Sequence, residues 1–147
     1  MLNILEAWRR RRWQPPAPDA GADGSRPVAI VTGASQGIGR AFAFELARHG
    51  HDLLLIARNA GPLEVVAREV ATGSGRQVAT LALDLTAPDA TDRLMGRLVA
   101  DGLFADLLVN NAGTGLAGKF QKHEASQVRR LADLNVRVMS ELTHAVL

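Results

Sequence analysis

Cysteine is absent from this 147-residue chain, and with it go disulfides, cysteine-bound zinc and a cysteine nucleophile. Tyrosine is absent too, and lysine occurs only as Lys119 and Lys122. No apolar run approaches the ~20 residues needed to span a bilayer. The N-terminal residues do not read as a secretory signal, because their apolar residues precede the basic cluster and no small-residue cleavage site follows. These absences predict a cytoplasmic protein. Charge of one sign is also lacking: the net charge of +2 is too small to imply nucleic-acid binding. The four histidines (His49, His51, His123 and His144) show no metal-ligand spacing and read as surface residues, so no metal is expected. What remains is ordinary for a soluble globular chain, with 47% hydrophobic and 22% charged residues, in a length sufficient for one core.

Two regions differ in composition. Residues 1–26 form a basic extension and linker. Leu2, Ile4, Leu5 and Trp8 lie close together on a helical wheel, Arg9 to Arg12 follow, and a Pro/Gly-rich stretch runs from Gln14 to Ser25. This extension reads either as a packing or unstructured segment or, through residues 1–13, as a peripheral contact with an anionic membrane surface. From residue 27 to residue 147, apolar runs alternate with amphipathic stretches. Val28–Thr32, Leu53–Ala57, Val78–Leu83 and Leu107–Asn110 read as strands buried on both faces. Ile38–His49 reads as a helix burying Ile38, Phe42 and Leu46. Leu63–Val70 reads as a second, and Ala90–Ala100 as a third that buries Leu94, Met95, Leu98 and Val99. A last amphipathic segment, Ala125–Leu147, repeats Leu131, Leu134, Val138 and Leu142. Strand–helix–strand units of these lengths require right-handed crossovers, hence an open, doubly wound parallel α/β sheet that binds ligands at the carboxyl ends of its strands. Neither glycine nor proline stops the last helix, so the sheet is expected to be incomplete at about four strands.

The most informative stretch is Thr32-Gly33-Ala34-Ser35-Gln36-Gly37-Ile38-Gly39, lying between the first strand and the first helix. A glycine turn into a helix N-terminus presents unpaired N–H groups and a positive dipole end, and so takes phosphate. Its spacing is Gly-x-x-x-Gly-x-Gly. Asp84-Leu85-Thr86 follows the third strand, Asn110-Asn111-Ala112-Gly113 the fourth, and Leu134-Asn135-Val136 sits in the last helix. In this order and spacing, over residues 27–147, the motifs resemble the short-chain dehydrogenase/reductase family. The loop does not match the Gly-x-x-Gly-x-x-Gly of the extended, epimerase-containing branch.

The resemblance implies a Rossmann-type sheet and a nicotinamide dinucleotide. Gly33, Ala34, Ser35, Gln36, Gly37, Ile38 and Gly39 would form the pyrophosphate loop, with Gly39 also letting helix and strand pack closely. Asp84 would accept from the adenine amino group beside the Leu85 backbone, and by itself reads equally as a strand-end cap. Asn111, Ala112 and Gly113 would line the ribose, while Asn110 and Asn111 both have a strand-tying role open to them. At the end of the second strand Ala57 stands where an acid would select NAD. Arg58 follows, either as a partner for the 2′-phosphate of NADP or as a solvated cation. This favours NADP, with NAD as the alternative. Arg40 reads as a surface salt-bridge partner. Asn135 matches a family asparagine that holds a water next to the catalytic lysine; with no Tyr-x-x-x-Lys pair in the chain it is expected to be a relic or an exposed polar residue. The reading is therefore the cofactor-binding front portion of an NADP(H)-preferring oxidoreductase acting on a carbonyl or alcohol. It would be inactive alone and a homo-oligomer when full length. A non-catalytic dinucleotide-binding or regulatory module is the alternative.

Overall fold

The computed structural model describes residues 24–147. Residues 1–23 of the extension, with the membrane-surface reading of residues 1–13, lie outside the described residues. Four strands, β1 (Arg26–Thr32), β2 (Leu53–Ala57), β3 (Val78–Ala82) and β4 (Leu103–Val109), form one parallel sheet in the order β3-β2-β1-β4. Each crossover carries a helix: α1 (Gly37–Arg48), α2 (Ala60–Ser74) and α3 (Ala90–Ala100). The chain moves outward from β1 to β3, then returns past β1 to lay down β4. That reversal creates a crevice between the carboxyl ends of β1 and β4.

Period-two alternation sorts the strand residues onto two cores. Ala29, Val31, Leu53, Leu55 and Ala57 face α1 and α2, whereas Val28, Ile30, Leu54 and Ile56 face α3 and the last helical segment. Leu63, Val66, Ala67 and Val70 of α2 are buried at i, i+3, i+4, i+7 as the sequence predicts. Full burial of a leucine such as Leu94, which is 0% exposed, stabilises by roughly 1.5–3 kcal/mol. Among the described residues no helix is long and apolar enough to cross a membrane.

Several expectations are corrected in detail. Burial on both faces holds for β1 and β2, while the edge strands β3 and β4 are mostly half-buried. β4 starts at Leu103, four residues earlier than the apolar run suggests, and Leu83 is buried just past the end of β3. Helix α1 turns a different stripe inward. Gly39, Ala43, Leu46 and Ala47 are buried, whereas Ile38 is 70% and Phe42 43% exposed. Small residues win because the helix lies close against the sheet, where an isoleucine or phenylalanine would hold it away. In α3 the stripe is Ala90, Leu94 and Leu98, and Val99 is exposed.

The last segment is not one regular helix. After a short 3₁₀ turn (Phe120–Lys122) come α4 (Ala125–Ala132), a π-helical stretch (Asp133–Val138) and α5 (Met139–Val146). Glu124 and Gln127 close a reciprocal capping box at the start of α4. Leu134, Val138 and Leu142 pack into the second core.

Candidate functional site

A cleft of about 650 Å³ opens at the carboxyl ends of the strands, within the roughly 300–1,000 Å³ usual for small-molecule sites. Each motif singled out in the sequence contributes to its wall: the glycine loop, Arg58, Asp84-Leu85, Asn111-Ala112-Gly113 and the segment carrying Asn135, through Leu134.

The three loop glycines have separate duties. Gly33 has φ +66°, and a Cβ there would press on Asn111 Nδ2 at 2.9 Å and Ala112 Cα at 3.0 Å. A Cβ on Gly39 would run into the Gly33 carbonyl oxygen and the Asn111 amide. These two are glycine so that the loop can close on its own protein. Gly37 is different: its φ is +55°, and nothing lies within 4 Å of its Cβ position. It is the first residue of α1, its neighbour Gln36 provides no side-chain cap, and the first turn holds no acidic residue. The positive end of the helix is thus left to the cleft.

Thr32 fixes the loop to the end of β4. Its buried hydroxyl donates to the Val109 carbonyl at 3.1 Å and accepts the N–H groups of Asn111 at 3.0 Å and Ala112 at 2.9 Å. The Asn111 side chain donates to the Thr32 carbonyl at 2.9 Å and the Gly33 carbonyl at 3.3 Å. Strand tying, which the sequence left open to both asparagines, therefore falls to Asn111. Asn110 instead donates to Thr143 Oγ1 at 2.9 Å, linking β4 to α5. Alongside these bonds, Asn111 keeps a place in the cleft wall.

Asn135 is half-buried and hydrogen-bonded through both ends of its amide, not a loosely exposed polar group. Its Oδ1 accepts from Thr114 N–H at 2.9 Å and its Nδ2 donates to the Thr114 carbonyl at 2.8 Å, so one amide pins the loop after β4. It does so from the π-helical stretch, a backbone irregularity often found at functional sites. A Cβ on Gly113 would lie 3.3 Å from Asn135 Oδ1, so the loop and the helix meet closely there.

At the end of the cleft beside β3, Asp84 Oδ1 accepts both the backbone N–H (3.0 Å) and the hydroxyl (2.7 Å) of Thr86. Those two bonds hold its carboxyl below the usual carboxylate range. The cap reading of Asp84 is thus realised at the end of β3, with the residue still in the cleft wall. Arg58 stands exposed across from it, with no ion pair among the described residues. Arg40, the competing cation, is engaged: it pairs with Glu69 at 2.9 Å and lies 4.7 Å over the Phe44 ring. Sequence reasoning named Thr86 within a motif without giving it a place in the site, and missed Thr114 and Arg130 in the wall. Only Arg130 left a signal, four residues before the core residue Leu134 on an amphipathic helix.

The family model for the short chain dehydrogenases matches residues 27–147. The chain belongs to the short-chain dehydrogenase family. Curated relatives include a very-long-chain 3-oxoacyl-CoA reductase of Aspergillus clavatus, 42% identical over 85 residues, covering 58% of this chain and 25% of the relative. Another is the 17-beta-hydroxysteroid dehydrogenase type 3 of Mus musculus, 36% identical over 122 residues, covering 81% of this chain and 39% of the relative. Among solved structures, a short-chain dehydrogenase from Sphingobium yanoikuyae in complex with NADPH is 38% identical with a TM-score of 0.74, over 82% of this chain and 46% of that one. L-sorbose reductase from Gluconobacter frateurii, complexed with NADPH and L-sorbose, reaches a TM-score of 0.77 at 31% identity, over 83% and 46%. The chain thus spans from a quarter to just under half of the length of these relatives, and the match confirms a Rossmann-type parallel sheet.

Proposed function

We propose that this chain is the dinucleotide-holding part of an NADP(H)-preferring oxidoreductase whose substrate is a carbonyl or the corresponding alcohol. The observation that carries the reading is Gly37: an open, left-handed position at an uncapped helix start, where a phosphate can approach the backbone and a side chain would intrude. The amides of residues 35–39 would hold the pyrophosphate, Ala112 and Gly113 the ribose, Asp84 the adenine amino group and Arg58 the 2′-phosphate. The relatives solved with NADPH support the cofactor, and the names of the curated relatives support the substrate class. When bound, the nicotinamide supplies or accepts hydride. The residues here contribute grip and orientation, and Asn135 keeps the loop beside the cleft in place.

Charge decides the preference. Ala57 and Arg58 place no carboxylate at the end of β2, so at that strand end a 2′-phosphate meets a guanidinium fork and no acid. Calorimetric titration of the chain with 2′,5′-ADP and with ADP tests this. Arg58→Ala is expected to weaken 2′,5′-ADP by about 10–100-fold, the equivalent of a charge-assisted bond worth ~1.5–3 kcal/mol, and to leave ADP nearly unchanged. Equal losses for both ligands would reject the assignment.

The lack of tyrosine favours a second reading, a binding module without chemistry of its own. Reduction of a carbonyl builds alkoxide charge that a positioned acid must neutralise. The 147 residues hold no phenol or thiol, and the exposed Lys119 and Lys122 do not line the cleft. NADPH oxidation with a panel of ketones and aldehydes is expected to run at the enzyme-free rate. Carbonyl-dependent consumption that disappears in Gly37→Asp would show that these residues suffice for turnover.

A further inference from the structure

The second cation of the cleft has no role in the reading above. Arg130 comes from α4, on the sheet face opposite α1 and α2, and lines the cleft together with Leu134 and Thr86. The helical segment is tethered at this point by Arg137, whose guanidinium donates to the Thr86 carbonyl at 3.2 Å, to Asp133 at 3.1 Å and to Glu141 at 2.8 Å. Leu134, packed in the second core, and the tethered Arg137 thus fix the register that carries Arg130 over the Asp84–Thr86 turn. Arg130, like Arg58, makes no ion pair among the described residues, although Asp84 lies within electrostatic reach of both. Its neighbour Arg129 carries the same charge and does not line the cleft.

This arrangement resolves a difficulty in the cofactor reading. A 2′-phosphomonoester carries nearly two negative charges at neutral pH and three terminal oxygens. One guanidinium engages two of those oxygens in its fork, leaving the third without a partner. The ionised Asp84 carboxylate lies in the same end of the cleft, and by itself would repel the phosphate and cancel the charge of Arg58. Two guanidiniums against one carboxylate leave an excess positive charge, which is what a dianion needs.

Building on that cofactor reading, we infer that Arg130 is a second 2′-phosphate determinant, closing on the phosphomonoester from α4 opposite Arg58 and offsetting Asp84. A nucleotide with a free 2′-hydroxyl has nothing for it to grip. The role deepens selectivity for the phosphorylated cofactor and does not touch the reacting atoms.

Calorimetric titration of the whole chain with 2′,5′-ADP and ADP tests it, using Arg130→Ala, Arg58→Ala and Arg129→Ala. Arg130→Ala is expected to weaken 2′,5′-ADP roughly tenfold and to leave ADP nearly unchanged. Arg129→Ala, which removes the same charge from the same helix, is expected to change neither. Arg130→Lys is expected to recover part of the loss, since it restores charge without the fork. If Arg58→Ala costs 2′,5′-ADP selectively and Arg130→Ala costs nothing, or costs both ligands equally, the inference is overturned while the cofactor reading stands. A loss in Arg129→Ala equal to that in Arg130→Ala would reduce the effect to net charge and also overturn it. An unmodified chain that binds 2′,5′-ADP no better than ADP overturns both.

Discussion

Thr32→Val is expected to destabilise the chain by about 1–3 kcal/mol, although it preserves the shape of the side chain. The hydroxyl uses its full capacity of one donor and two acceptors: it gives its proton to Val109 and receives the N–H groups of Asn111 and Ala112. Valine would leave Ala112 N–H without that partner, in a site where Thr32 itself is 1% exposed, while Asn111 N–H and the Val109 carbonyl keep their bond to each other at 3.0 Å. Each unsatisfied buried group costs about 1–3 kcal/mol, partly recovered where the loop relaxes toward water. Thr32→Ser keeps the three bonds and forfeits only a methyl group, about 1 kcal/mol. Urea unfolding of the three proteins separates the cases. Valine and serine losing equally would show that the methyl group matters and the hydroxyl does not.

Gly39→Ala is expected to be the most damaging single methyl addition in the glycine loop, at or above the upper end of the ~1–3 kcal/mol usual for overpacking. The added carbon would collide with the Gly33 carbonyl, which is backbone and cannot swing aside as a side chain could. Moving it would displace the Asn111 amide bonded to that carbonyl, and with it the junction of β1 and β4. Two other glycines calibrate the measurement. Gly37→Ala meets no atom and is expected to cost about 1 kcal/mol, from its left-handed φ alone. Gly96→Ala, in the exposed middle of α3 with open space around it, is expected to gain about 0.5–1 kcal/mol from helix propensity. Thermal melts of the three variants should therefore rank Gly96→Ala above Gly37→Ala and Gly37→Ala above Gly39→Ala. A Gly39→Ala protein as stable as Gly37→Ala would mean that the loop and α1 sit further apart than described.

The parallel sheet was legible because β1 and β2 are buried on both sides and leave continuous apolar runs, and because the crossover helices are long enough to show their own period. The edge strands were read less accurately. β4 carries Asp106 in its middle, and that charge conceals its first four residues from an argument based on apolar runs. The inward face of α1 was misread for a related reason. Hydrophobicity ranks isoleucine and phenylalanine above glycine and alanine, while close packing against a sheet selects for size.

The sequence by itself determined which segments line the cleft: the glycine loop, Arg58, Asp84 and the Asn-Asn-Ala-Gly run all sit at strand ends, and the alternation of strands and helices brings strand ends together. It also determined the absence of a phenol from the chemistry of these 147 residues. Tertiary structure alone decided how the polar groups divide the work. The 79-residue separation between Thr32 and Asn111 becomes a hydrogen bond only because β4 is laid down beside β1. The pairing of Asn135 with Thr114 depends on a π-helical turn that no residue pattern announces. Arg130 reaches the cleft wall beside Asp84 and Thr86 because Arg137, seven residues on, is fastened to the Thr86 turn. Local periodicity records which face of an element is apolar; which neighbour a polar side chain finds there is fixed by contacts between residues far apart in the chain.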